Sequence, residues 1–76
     1  MHNKNNNKIE KIFKKILKVK IKKNLSIDNC VEWDSLNFAK ILSSTEKEFG
    51  IVFSTKDIEK LSSLEHFKKI IKSKLK

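Results

Sequence analysis

The sequence predicts a small all-α protein: a four-helix bundle of three longer helices and one short third helix, with a long first loop. Three observations carry that expectation. The 76 residues include one glycine and no proline, so tight hairpins and extended loops are poorly supplied. Tyrosine is absent, and the β-branched residues are mostly isoleucines at helical spacing. The apolar residues return every three or four positions in three stretches, which is the period of a half-buried helix. A chain this short supports one domain with a thin core. Residues 1–76 are therefore read as a single domain, with the polar segment 1–7 frayed.

The first helix rests on Ile9, Ile12, Phe13, Ile16 and Leu17, which fall on one face, with Lys11, Lys14, Lys15 and Lys18 on the other. It is expected from about residue 5 to about residue 20. Residues 21–33 then lose the period. Leu25, Ile27, Val31 and Trp33 are read as anchors of this connection. So long a loop is uncommon in a small domain unless it has a function or is packed by its own side chains.

The second helix starts near Ser35 and ends at Gly50, a residue suited to the left-handed conformation that closes helices. Phe38, Ile41, Leu42, Thr45 and Phe49 form its core stripe, and Phe49 is expected to be buried. Leu36 falls on the opposite side with Ala39, Lys40, Ser43 and Lys47, where core packing gives it no role. Ile51, Val52 and Phe53 read as a short buried connector. Ser54 caps a very short third helix, with Asp57 completing a capping box and Ile58 and Leu61 as anchors. Ser62 or Ser63 caps the last helix, whose stripe is Leu64, Phe67, Ile70, Ile71 and Leu75.

Composition excludes several functions. A lone cysteine, Cys30, allows neither an internal disulfide nor a cysteine-based metal site. Cys30 is read as a small loop hydrophobe, His66 as a surface or capping residue, and His2 as part of the polar end. No apolar run reaches the length of a membrane span or a signal peptide, so a cytoplasmic address is expected. The net charge of +9 is uneven: +8 over residues 1–23, −4 over residues 24–66 and +5 over residues 67–76. All 18 cationic residues are lysines. Bidentate reading of phosphates and guanines prefers arginine, so nucleic acid is not the expected partner. Neither histidine is near Ser35 in the sequence, and no Ser-His-Asp set can be assembled. No catalytic residue and no metal ligand is assigned.

Ser35 stands in Val31-Glu32-Trp33-Asp34-Ser35-Leu36, and the helix that follows ends in Glu46-Lys47-Glu48-Phe49-Gly50-Ile51. A serine at a helix start is most often only an N-cap. The triplet Asp34-Ser35-Leu36, its helix and that ending together resemble the acyl carrier proteins, over roughly residues 5–75 of the chain. Trp33 ahead of the triplet looks like the carriers of specialised pathways; it is equally read as a loop anchor. The resemblance implies a non-catalytic monomer that carries 4'-phosphopantetheine, derived from coenzyme A, covalently on Ser35. It further implies a phosphopantetheinyl transferase and acyl- or aminoacyl-loading and transfer enzymes as partners. Asp34, Leu36, Ala39, Lys40, Ser43 and Lys47 would form the recognition face. Two features depart from the family pattern: Lys40 and Lys47 stand where acidic residues are usual, and Ser43 where a larger apolar residue is common. The alternative is a small basic helical module that binds nucleic acid or docks on an acidic partner or a membrane surface, for which the lysine-rich ends speak.

Overall fold

The computed structural model describes residues 4–75. They form four helices in the order expected: α1 (Lys4–Leu17), α2 (Ser35–Phe49), α3 (Thr55–Lys60) and α4 (Leu64–Lys74). No strand occurs among the described residues. Met1–Asn3, with His2, lie outside them, while α1 already begins within the segment expected to fray.

In α1, Ile9, Phe13 and Leu17 are fully buried at a spacing of four, with Ile12 and Ile16 half-buried beside them. The helix stops three residues short of the expected end because Lys18 adopts a left-handed conformation, φ 57°. Its N–H still reaches the Lys14 carbonyl at 2.9 Å. Such a turn strains a residue with a side chain by roughly 1–2 kcal/mol. α1 packs against both α2 and α4 and so forms the middle of the bundle.

The core is aromatic at its centre. Phe67 of α4 lies 4.9 Å from Phe13, 6.0 Å from Trp33, 6.1 Å from Phe38 and 6.0 Å from Phe53, centroid to centroid. Most of these pairs meet edge to face, the arrangement that ring quadrupoles favour. Ile41, Leu64 and Ile71 close the core around them. Thr45, fully buried on the stripe of α2, gives its hydroxyl proton to the Ile41 carbonyl at 2.6 Å, so its polar atom is satisfied within the helix.

The long loop is packed by its own side chains and pinned to the start of α4. Ile27 N–H donates to the Ser62 carbonyl and Leu64 N–H to the Leu25 carbonyl, both at 2.9 Å. Asn29 braces the turn: its amide donates to the Asn24 carbonyl and its Oδ1 accepts from Ser26 N–H. Leu25 and Trp33 are buried anchors, as expected. Ile27 and Val31 are not: they are 47% and 93% exposed, because this backbone has no period to hold alternate side chains inward. The same holds for the connector after α2, where Phe53 is buried, Ile51 half-buried and Val52 75% exposed. Phe49, the last residue of α2, is half-buried against the core rather than buried.

Ser54 and Asp57 form the full capping box of α3. That helix buries none of its own residues: Ile58 is 37% exposed, and Leu61, just past its end, is the anchor that counts. Ser63 caps α4 by accepting from His66 N–H. On the α4 stripe Leu64, Phe67 and Ile71 are buried and Ile70 is half-buried, while Leu75 past the helix end is exposed.

Candidate functional site

α2 begins where Trp33 enters the core and the chain must turn outward. Trp33 is buried against Phe13 and Phe38, which fixes the two residues after it at the surface. Asp34, not Ser35, is the N-cap: its backbone is extended and its carboxylate accepts from Asn37 N–H at 2.9 Å. Asn37 returns the contact, its side-chain amide donating to the Glu32 carbonyl at 2.8 Å. The loop end and the first turn of α2 are thereby locked together. Asp at the cap with Asn three residues later is a spacing that sequence reading could have used; it was obscured because serine is an equally good cap.

The consequence for Ser35 is chemical. As the first residue of the helix, it is relieved of capping, and its exposed hydroxyl has no hydrogen-bond partner among the described residues. The first four N–H groups of a helix lack intrahelical partners. Here Asn37 N–H goes to the Asp34 carboxylate and Phe38 N–H to the Asp34 carbonyl at 2.8 Å. The N–H groups of Ser35 and Leu36 are left without a partner among the described residues. Together with the positive end of the helix dipole they favour an anion at this hydroxyl.

Leu36 is 65% exposed immediately beside Ser35, and Ala39, Lys40, Ser43 and Lys47 are exposed along the same helix. Asp34 is exposed at its head. All six residues expected on the outward face are therefore at the surface.

Two neighbours complete the picture. Trp33 Nε1 is buried with no hydrogen-bond partner among the described residues. Cys30 is buried, its thiol donating to Glu32 Oε1 at 3.6 Å. Burial first, and then that carboxylate, push its pKa above the ordinary thiol value, so it stays protonated and unreactive at neutral pH. Among the described residues no group of three or more His, Cys, Asp and Glu is placed to hold a metal ion. No described helix is long and apolar enough to cross a membrane.

The chain is 38% identical over 61 residues to the acyl carrier protein of Buchnera aphidicola subsp. Schizaphis graminum (strain Sg), an alignment covering 76% of this chain and 77% of that protein. This chain belongs to the acyl carrier protein family. No family model matches it, and no solved structure does. An acyl carrier protein is a carrier and not a catalyst. The membership also fits the helical bundle and its order of elements.

Proposed function

We propose that Ser35 is the attachment point for a 4'-phosphopantetheine arm, and that this carrier delivers acyl or aminoacyl groups to partner enzymes. The observation that supports it most is the free, exposed Ser35 hydroxyl on the first residue of α2, beside two unpartnered N–H groups and an outward leucine. Those features fit a phosphodiester on that oxygen: the N–H groups and the helix dipole suit its negative charge. The thiol of such an arm, when bound, holds acyl groups as thioesters. The chain's own part is to present the serine oxygen, to neutralise the phosphate locally and to offer Leu36 as an apolar contact. Activation of Ser35 falls to a separate transferase that uses coenzyme A, since no described residue is hydrogen-bonded to the serine hydroxyl as a base would be.

The partners in this reading are that transferase and a set of loading and transfer enzymes, met by a monomer in the cytoplasm. Lys40 and Lys47 on the recognition face set the choice among them. An enzyme patch of basic residues, suited to an acidic helix, would meet like charge here, which suppresses pairing and slows encounter. The carrier therefore serves a dedicated pathway with adapted enzymes. Intact mass measured after incubation with coenzyme A, Mg²⁺ and a permissive transferase tests the attachment. The wild type gains one arm and Ser35→Ala gains none; an unmodified wild type sinks the reading.

A further inference from the structure

The lysines of this chain are not all solvated alone. Among the described residues three are matched: Lys68 with Glu10 at 2.7 Å, Lys74 with Asp57 at 2.7 Å and Lys8 with Glu48 at 3.6 Å. Lys11, Lys15 and Lys47 have no ion pair among the described residues, and all three border one groove between α1 and α2. One part of the groove, about 470 Å³, runs past Ser44 and Lys47 of α2; the next, about 380 Å³, extends it along α1 to Lys11. Both parts share Ile12, Lys15 and Glu48, so they are continuous. Ile12 and Ile16 are half-buried in the groove, below the level of the exposed lysines. Glu48, its only acidic residue, is already engaged by Lys8.

We propose that this groove docks an acidic amphipathic helical segment of a partner enzyme, apolar side chains on Ile12 and Ile16 and carboxylates on Lys11, Lys15 and Lys47. An apolar floor between cationic rims is complementary to such a helix, which presents one apolar stripe flanked by charge. A membrane surface fits less well, because it is flat and the isoleucines lie beneath the lysines rather than projecting past them. Nucleic acid fits less well too, since lysine offers no bidentate fork and the floor has nothing for a base. The groove joins the recognition face at Lys47, twelve residues and so about 18 Å of helix from Ser35. Docking there holds the carrier at a distance from the serine and leaves Leu36 and the hydroxyl open.

That the partner is an enzyme acting on the arm rests on the carrier reading; the groove itself does not need the arm. The test therefore uses the full chain as wild type and as Ser35→Ala. The probe is a synthetic amphipathic helical peptide with a leucine stripe flanked by glutamates, and a second with lysines in place of the glutamates. Methyl and amide NMR shifts are followed, with affinity by titration at low and physiological salt. The glutamate peptide is expected to shift the methyls of Ile12 and Ile16 and the amides of Ser44 and Lys47, equally in wild type and Ser35→Ala. The Lys15→Glu, Lys47→Glu pair weakens it by about tenfold or more, and the lysine peptide does not bind. Because both positions are exposed, the double variant keeps its fold, checked by circular dichroism; Lys15→Gln, Lys47→Gln repeats the comparison without reversed charge. Shifts centred on Lys20–Lys23 or on α4, affinity unchanged in the double variants, or the same methyl shifts produced instead by anionic lipid vesicles or single-stranded DNA would overturn the proposal. A wild type that takes the arm normally but does not bind the glutamate peptide counts against the groove alone; one that binds the peptide but takes no arm counts against Ser35 alone.

Discussion

At its C-terminal end α2 is tied down; at its N-terminal end it is left partly open. Gly50 closes the helix at φ 65°, and both its N–H and that of Ile51 reach the Glu46 carbonyl. The Glu46 carboxylate then takes Phe53 N–H at 2.8 Å, drawing the connector back onto the helix. At the other end Asp34 satisfies two N–H groups and stops there, leaving Ser35, its N–H and that of Leu36 unengaged. Leaving donors open costs little where water reaches them and keeps them available to an incoming anion. One end of the helix holds the fold, and the other is, in the function proposed above, kept for chemistry.

That contrast is broken most severely through the core on which both ends hang. Phe67→Ala removes the ring on which Phe13, Trp33, Phe38 and Phe53 converge, and should cost roughly 3–5 kcal/mol. A small domain has on the order of 5 kcal/mol in hand, so the variant should be largely unfolded by circular dichroism. Leu36→Ala, at an exposed position, should melt close to the wild type. Comparable losses in the two would contradict the placement of Leu36 outside the core.

The closed end is tested next. Glu46→Ala deprives the half-buried Phe53 N–H of its acceptor and should cost about 1–3 kcal/mol. Glu46→Gln keeps an acceptor oxygen and should lose less. If the two lose the same, the hydrogen bond is not what holds the connector.

At the open end the roles of two adjacent residues separate. Asp34→Ala removes the cap and should cost about 1 kcal/mol, with Asp34→Asn close to wild type. Ser35→Ala should change stability by less than about 0.5 kcal/mol, as an exposed residue with no partner does. A larger loss in Ser35→Ala than in Asp34→Ala would return the capping role to the serine.

Much of this was legible in the sequence, and the misses have a common cause. Ser54 with Asp57, Gly50, the outward Leu36 and the stripe through Ile41 and Thr45 all follow from period or from cap chemistry, and they stand. Val31, Val52 and Ile27 were read as inward because they are apolar, yet they sit in segments without a repeat, where composition says nothing about direction. Phe49 keeps its place on the stripe but is the last residue of the helix and only half-buried. The choice between Asp34 and Ser35 as cap depends on a single backbone conformation, extended at Asp34, that no pattern encodes. The groove lysines were visible only as charge; their convergence needed the packing of α1 on α2.

A smaller effect lies at the start of α3. The hydrogen bond from the Lys74 ammonium, followed by the N–H of Ser54, lowers the Asp57 carboxyl from 3.8 to about 2. A carboxyl depressed in the folded state stabilises it fully above its unfolded value, and that contribution is lost as pH falls toward the folded one. The gap in melting temperature between wild type and Asp57→Asn should therefore be constant at neutral pH and close between 3.8 and about 2. A gap that persists unchanged through that window would mean the carboxylate charge is not its source.

The serines of this chain differ in how their hydroxyls are engaged. Ser54 and Ser63 spend their hydroxyl oxygens on caps, and Ser62 is paired with His66 at 3.1 Å. Ser43 and Ser73 are exposed without a partner among the described residues, like Ser35, but lie inside helices, whereas Ser35 alone of the three stands on a first helical turn beside open N–H groups. The most direct test is peptide mapping by tandem mass spectrometry after treatment with coenzyme A and a permissive transferase. A single arm is expected on Ser35, with the other serines unmodified; an arm on any other residue, or one that persists in Ser35→Ala, would overturn the assignment.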